Sequence, residues 1–350
     1  MRVLIYSPAF APLVGGLENF VAQIARGLTR LHHEVVVVTT TAGGEDDDFP
    51  FRVVRRPPPW ELLRWVRWCE VLFHANVCLR AVWPLLLVRR PWLTSHHSWY
   101  TRVDGRIAWQ DRLKRRLTRL STSVAVSQAL ARDLGPPTFV ITNPYREDVF
   151  RLLPEVPRTK DLAVLGRLVS DKGVDVLLDA LALVARDRTE ASREIRLTVI
   201  GDGPERPRLV AQAARLGIAE RVEFLGVRRG EELVRILNEH RILVVPSRYH
   251  EPFGNVAVEA IACGCVVVGS EGGGLPEAIG LCGRTFPNGD AAALARVLGA
   301  LLDDPAELAR LRHDARAHLA SHKSGVVAAA YSAALERARR GRSAGRSGRE

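Results

Sequence analysis

Two carboxylates with seven residues between them frame the stretch EPFGNVAVE, Glu251 to Glu259. Paired carboxylates do acid/base work when both flank one reacting bond. Here the surroundings argue against that. Val245-Pro246-Ser247 reads as a strand end and Asn255–Ala262 (NVAVEAIA) as a helix. Glu251 then lies in the loop ahead of the helix and Glu259 on it. Eight helical steps of about 100° leave the two side chains unaligned. They address different parts of one ligand. The backbone N–H groups of Phe253, Gly254, Asn255 and Val256 open the helix, a position that favours an anion.

Four more places carry residues of the same kind. Gly166-Arg167-Leu168 ends a strand and Asp171-Lys172-Gly173 opens the next helix. Arg167 and Lys172 therefore share one strand–helix junction, and two cations there suit a diphosphate. Gly15–Gly16 sits between the first strand and the first helix. Glycine there permits close backbone approach to a phosphate, and a plain turn is the other reading. Gly201-Asp202-Gly203-Pro204 follows a strand but is not a full G-x-G-x-x-G. Tight turn and ligand contact both stay open for it. Gly272-Gly273-Gly274-Leu275-Pro276-Glu277 is another turn at the same edge.

These residues need a frame that gathers strand ends. Arg2–Ser7 reads as a buried strand. Glu18–Leu31 has helical spacing at Phe20, Ile24, Leu28 and Leu31, and Glu34–Thr40 (EVVVVTT) is a second strand. That is one β-α-β unit of a parallel sheet. Further strands are expected at Phe51–Val54, Val71–Ala75, Trp92–Ser95, Ser123–Val126 and Thr138–Ile141. The second half repeats the scheme with strands at Leu162–Gly166, Arg196–Gly201, Val222–Leu225, Ile242–Pro246 and Val266–Ser270. Helices are expected over Gly173–Arg186, Ala291–Leu302, Pro305–Ser321 and about Gly325–Arg339. The fold class is α/β, with two doubly wound, Rossmann-like domains facing across a cleft and ligands at the carboxyl ends of the strands. The expected domains are residues 1–150 and 151–325. A C-terminal helix over 326–340 crosses back to the first domain, and the tail Gly341–Glu350 is expected to be disordered.

Composition narrows the class. Of 350 residues, 47% are hydrophobic and 25% charged, which allows two ordinary cores. The five cysteines, Cys69, Cys78, Cys263, Cys265 and Cys282, are odd in number and irregular in spacing. They read as buried thiols of a reducing cytoplasm and not as a disulfide or zinc framework. No signal peptide or membrane-spanning stretch is visible. The net charge of +11 is uneven: residues 1–160 carry 23 basic and 14 acidic side chains, and residues 161–335 carry 21 and 23. The first half is suited to an anionic partner.

The order of these motifs resembles glycosyltransferase family 4: GG, then GRL with DKG, GDGP, PS before EPFG with a second Glu, and GG before Glu277. The resemblance covers nearly the whole chain. It implies the GT-B arrangement of two Rossmann-like domains, the first for the acceptor and the second for a nucleotide-sugar donor. It also implies transfer with retention of anomeric configuration, and neither metal nor other cofactor. Glu259 would then hold the ribose hydroxyls. Arg167 and Lys172 would hold the diphosphate with the Gly15–Gly16 backbone, and Glu251 would sit at the donor sugar with the Phe253 and Gly254 amides. The family places a histidine after an N-domain strand in a T-x-H setting. Thr94-Ser95-His96 matches it, with His97 as the alternative. Cys265 departs from the family's usual proline, at a position that reads as structural. Charge on the leaving diphosphate would be stabilised by fixed cations and helix N–H groups, and that diphosphate would accept the acceptor's proton.

Other features compete. Glu45-Asp46-Asp47-Asp48 reads as a solvated loop more than a metal site. His32-His33 sits at a helix end, where the dipole favours it. WELLRWVRW (Trp60–Trp68) places Leu62, Trp65, Cys69 and Leu72 near one face. Arg89–Arg119 adds nine basic residues against two acidic ones. Tryptophan beside arginine suits an anionic membrane surface carrying a lipid-linked acceptor, and a core-packing helix is the other reading. A sugar-nucleotide epimerase of similar build is the second functional reading. A nucleic-acid-binding protein is the third, without a supporting motif.

Overall fold

A computed structural model describes residues 1–13, 15–43, 48–101, 106–135, 137–187 and 194–343. Most of the acidic loop (45–47) and the last seven residues of the basic tail lie outside the described residues. The chain divides into two compact units. One holds Met1–Pro144 together with the chain from His322 on, and the other holds Tyr145–Ser321.

The first unit runs β1 (Arg2–Ser7), α1 (Gly16–Arg30), β2 (Glu34–Thr39), β3 (Arg52–Arg55), α2 (Pro59–Trp68) and β4 (Val71–Ala75). It continues through α3 (Pro84–Leu87), β5 (Trp92–His96), α4 (Trp109–Thr118), β6 (Thr122–Ala125), α5 (Gln128–Leu134) and β7 (Thr138–Val140). Among the described residues its strands form a seven-stranded sheet in the order β3-β2-β1-β4-β5-β6-β7. Every pair is parallel, in register Val3↔Val35, Val3↔Val71 and Leu72↔Trp92 through the centre. Both faces are covered, so the central strands β1, β2 and β4 are largely apolar, as in Val3–Ile5, Val35–Val38 and Val71–Phe73. Phe20, Ile24 and Leu28 of α1 fill one face with Val3, Ile5 and Phe73. Leu62, Trp65 and Val66 of α2 fill the other with Leu4, Tyr6 and Leu72, and Leu117 of α4 packs there too.

The second unit runs β8 (Lys160–Leu165), α6 (Val174–Asp187), β9 (Leu197–Ile200), α7 (Arg206–Arg215), β10 (Val222–Gly226) and α8 (Gly230–Glu239). Then come β11 (His240–Val245), α9 (Asn255–Ala262), β12 (Val266–Ser270), α10 (Leu275–Ile279) and β13 (Gly283–Phe286). Helices α11 (Ala291–Asp303), α12 (Pro305–His313) and α13 (Ala315–Ala320) close the unit. The six strands are parallel in the order β10-β9-β8-β11-β12-β13. This is the doubly wound order, with the direction of winding reversing between β8 and β11.

The division falls at Pro144, six residues ahead of the expected boundary at 150. Tyr145–Val156 is tied to the second unit. The Arg151 guanidinium forks onto both oxygens of Glu231 at 2.9 Å, and the Leu153 N–H donates to Asn238 Oδ1 at 2.8 Å. The last helix, α14 (Ser324–Ser343), returns to the first unit as expected. Ala328 packs on Gly27 of α1, where a Cβ would lie 2.4 Å from the alanine methyl. Tyr331, fully buried, stacks on Phe73 and its hydroxyl meets Ser95 Oγ at 2.8 Å. His33, expected only to favour the end of α1, bonds Ser332 Oγ at 2.8 Å and so anchors the same helix. The five cysteines are free thiols, and all but Cys78 are buried.

Candidate active site

The crevice outside the carboxyl ends of β8 and β11 is where a doubly wound sheet binds ligands. A small cavity opens there, lined by Gly166, Arg167, Lys172, Ser247 and Val256 among others. The chain reaches this convergence through two obligatory glycines. Gly173 has φ +63°, and a Cβ on it would lie 2.0 Å from the carbonyl oxygen of Pro246. The loop after β8 can therefore press on the loop after β11, which sets Lys172 beside Glu251. Gly201 has φ +132°, and a Cβ there would lie 1.9 Å from Gly166 O. The Leu168 N–H donates to Asp202 O at 2.9 Å, and the Glu205 N–H to Leu168 O at 3.0 Å. Of the two readings left open for GDGP, the structural one has this observation behind it: the turn is the backing plate of the GRL loop.

Lys172 Nζ lies 2.6 Å from Glu251 Oε1, and Ser247 Oγ donates to the same oxygen at 2.7 Å. The carboxylate is 12% exposed and the ammonium 33%. Both donors use Oε1, which leaves Oε2 with its acceptor capacity. The ammonium has three protons and spends one here. Arg167 is exposed at the end of β8 and forms no ion pair among the described residues. An ammonium held by Glu251 and a guanidinium without an ion pair among the described residues thus line one cavity.

Glu251 stands before α9 and Glu259 on it, as the helix boundary required. Gly254 is the N-cap, and its carbonyl accepts the Ala257 N–H at 2.9 Å. The Phe253 ring is buried, so only its backbone faces the ligand edge. Asn255 opens the helix and Val256 borders the cavity. Glu259 is partly buried, and its carboxyl makes no hydrogen bond among the described residues. Burial raises its pKa to about 7, against the opposing pull of Arg146. A partly buried carboxyl without a hydrogen-bond partner has capacity left for a ligand's donors.

The first unit offers less. Gly15 caps α1 in an extended conformation (φ −169°), and its added Cβ would meet only the tip of the Glu18 side chain. Gly16 is the first helical residue. His96 is fully buried in β5. Its Nδ1 meets Tyr100 Oη at 2.7 Å and its Nε2 meets Ser123 Oγ at 2.9 Å. Burial lowers its pKa to about 3. Both nitrogens are used inside the sheet, which leaves His96 no means of touching a ligand. His97 stands just past the strand, partly exposed. Its ring lies 4.1 Å from that of Phe20, in the second turn of α1, and its Nε2 lies 2.7 Å from Ser95 Oγ. Its N–H donates to Asn76 Oδ1 at 2.8 Å, while Nδ1 has no partner among the described residues. The histidine at this strand end with a free nitrogen is thus His97. The T-x-H pattern points to His96, whose ring is held by Tyr100 and by Ser123 of β6, and His97 remains the alternative; burial lowers the pKa of His97 to about 3 as well.

Among the described residues, no group of three or more His, Cys, Asp or Glu is placed to hold a metal ion. Among the described residues, no helix is long and apolar enough to cross a membrane.

Two parallel sheets of doubly wound order, with cations and a carboxylate at the switch point of the second, are the architecture of the GT-B class. Solved structures agree on the fold. Anabaena Alr3699/HepE in complex with UDP and glucose superposes with a TM-score of 0.80 at 21% identity, covering 96% of this chain and 99% of that one. WaaG, a glycosyltransferase involved in lipopolysaccharide biosynthesis, superposes with a TM-score of 0.67 at 18% identity, covering 95% and 99%. Residues 14–136 match the family model "Glycosyltransferase Family 4", and residues 159–304 match "Glycosyl transferases group 1". The chain belongs to the family 4 glycosyltransferases. A D-inositol 3-phosphate glycosyltransferase of Stackebrandtia nassauensis is 37% identical over 187 residues, 50% of this chain and 42% of that protein. A glycogen synthase of Mycobacterium tuberculosis is 37% identical over 169 residues, 47% and 40% respectively. The chain thus matches less than half the length of each relative.

Proposed function

We propose that this protein transfers a sugar, with retention of configuration and without a metal, from a nucleoside-diphosphate sugar to a hydroxyl of a glycan or lipid-linked acceptor. The observation that carries the reading is the convergence of Arg167, Lys172, Glu251 and the start of α9 at the switch point of the second sheet. Arg167 and Lys172 hold the diphosphate, assisted by the Gly15–Gly16 backbone. Glu259 takes the ribose hydroxyls, and Glu251 the donor sugar. As the glycosidic bond lengthens, negative charge grows on the departing phosphate. Guanidinium, ammonium and helix N–H groups fixed at this edge would stabilise it with little reorganisation. The phosphate oxygen then takes the acceptor's proton. His97 Nδ1 faces the sugar or the acceptor. The D-inositol 3-phosphate enzyme suggests a polyol phosphate as one trial acceptor, and the HepE complexes suggest UDP-glucose as one trial donor.

The place of action is proposed as the cytoplasmic face of an anionic membrane. The helices over one face of the first sheet bury Leu62, Trp65 and Val66 inward, as a core-packing helix would. Outward they expose Trp60, Leu86, Leu87, Trp109 and Leu120, each at least 65% exposed, among Arg64, Arg67, Arg112, Arg116 and Arg119. Interfacial tryptophan and leucine with arginine is the pattern of a surface that rests on acidic headgroups. Flotation with phosphatidylglycerol vesicles at low salt tests it, and absence of binding overturns it.

The enzymatic reading is tested by thermal-shift screening of nucleotide sugars, followed by NMR of the product anomer in the presence of EDTA. Stabilisation by one nucleotide class and a product of unchanged configuration are expected. Conversion of the nucleotide sugar with no acceptor added would favour an epimerase instead. An inverted product, or loss of activity in EDTA, would overturn retention or metal independence.

A further inference from the structure

Four loops meet around Glu251, and one side chain ties three of them together. Asn288 lies in the Pro287-Asn288-Gly289 turn after β13. Its Nδ2 donates to Ser247 O at 2.9 Å and more weakly to Arg248 O at 3.4 Å, in the loop after β11. Its Oδ1 accepts the Gly272 N–H at 2.8 Å, in the loop after β12. The turn itself is fixed on α11, where Asp290 Oδ1 caps the helix by accepting the Ala293 N–H at 2.8 Å. Each loop so tied has a second hold on the carboxylate residue. Ser247 donates its hydroxyl to Glu251 Oε1, and the Gly274 N–H donates to Glu251 O at 2.7 Å. The Arg248 N–H donates to Asp171 O at 2.9 Å, next to Lys172, which completes the ring back to the loop after β8.

We infer that Asn288 is a positioning residue: it sets Ser247 and the Gly272–Gly274 turn, and through them the rotamer of Glu251 and the seat of Lys172. The inference rests on the proposed role of Glu251. Its physical basis is the geometry of the ring. Ser247 has only its χ1 rotation with which to follow Glu251 if its backbone drifts, because Oγ is bonded directly to Cβ. Loss of the Asn288 amide frees two loops at once. A displacement of about 1 Å in such a group costs on the order of 10²-fold in rate. The carboxyl group would remain present, so donor binding through Arg167 and Glu259 is kept.

A comparison between two asparagines separates positioning from plain structural support. Asn238 is also a loop clamp, fully buried, with its amide bonded to Arg151 O, Val234 O and the Leu153 N–H. It lies on α8, near the opposite end of β11. The measurement is steady-state UDP release from UDP-glucose by the full chain. GDP-mannose or ADP-glucose replaces it if thermal shift shows a better fit. Asn288→Ala is expected to lower kcat about 10- to 100-fold with KM within about threefold. Asn288→Ser, which keeps a short donor and acceptor, is expected to recover part of the loss, and it carries the comparison if the alanine variant does not fold. Asn238→Ala is expected to lower Tm with kcat little changed at a temperature where it is folded. In a Glu251→Gln background, Asn288→Ala should cost less than about twofold, because the two act through one group. An unchanged kcat in Asn288→Ala, or a loss undiminished in the Glu251→Gln background, overturns the inference and leaves the site assignment standing. Wild-type turnover in Glu251→Gln overturns both.

Discussion

The two sheets share one strand order and place their polar residues in opposite ways. In the second unit, the groups with chemistry sit in loops beyond β8, β11 and β12, where Arg167 is open and Lys172 and Glu251 face each other at 2.6 Å. In the first unit, the polar residues at the same edge are drawn into the sheet. His74, Thr94, Ser95 and His96 are all fully buried, and burial holds His74 and His96 near pKa 3. A charged leaving group needs fixed charges within reach, and the second unit holds them on rigid turns, in keeping with its proposed donor role. A neutral hydroxyl acceptor needs shape and a few hydrogen bonds, which is the proposed use of the first unit.

That contrast can be broken most sharply at Glu251. Glu251→Gln should lower turnover about 100-fold or more while donor Kd stays within a few-fold, read by steady-state kinetics and calorimetry. Next come the glycines. A Cβ on Gly173 strikes a backbone oxygen, whereas one on Gly15 strikes only the flexible end of Glu18. Gly173→Ala should cost about 2–4 kcal/mol in urea unfolding and Gly15→Ala less than about 0.5. Equal losses would mean the two phosphate-side loops are built alike.

The histidines sharpen the acceptor side. His97→Ala should lower kcat/KM about tenfold with little change in Tm, through loss of one ligand contact. His96→Ala should lower Tm, because it strips partners from buried Tyr100 and Ser123, and leave the activity of the folded fraction nearly intact. The reverse pattern would restore His96 as the site residue.

The smallest effect is in pH. Glu259 is held protonated up to about 7 by burial, so its folded pKa lies above the unfolded value. Its protonated form favours folding, and that contribution is lost as pH rises through 7. Donor binding runs the other way: the ionised carboxylate accepts ribose hydroxyls better, so UDP-glucose affinity should rise a few-fold between pH 6 and 8. Glu259→Gln should flatten that profile. A wild-type profile already flat would place the ribose elsewhere.

Most strands and the site of the second unit were legible in the sequence, because buried parallel strands read as apolar runs and their turns need glycine. Edge strand β13 was not, since Arg284 and Thr285 face solvent in a four-residue strand. The single helix expected over Pro305–Ser321 is two, α12 and α13, interrupted at Asp314. Asn288 reads in the sequence as an ordinary Pro-Asn-Gly turn. Its partners lie 41 and 16 residues away, and no local pattern reports such contacts. The T-x-H pattern alone does not separate His96 from His97, because a one-residue step along a strand reverses the face.

The central claim is that a nucleotide-sugar donor binds at the carboxyl edge of β8 and β11. Calorimetric titration of UDP-glucose, or of the nucleotide sugar that best stabilises the chain, into wild type, Arg167→Ala and Glu259→Ala tests it most directly. Weakening of about tenfold or more in each variant is the expected result. Binding of unchanged affinity in both would contradict it.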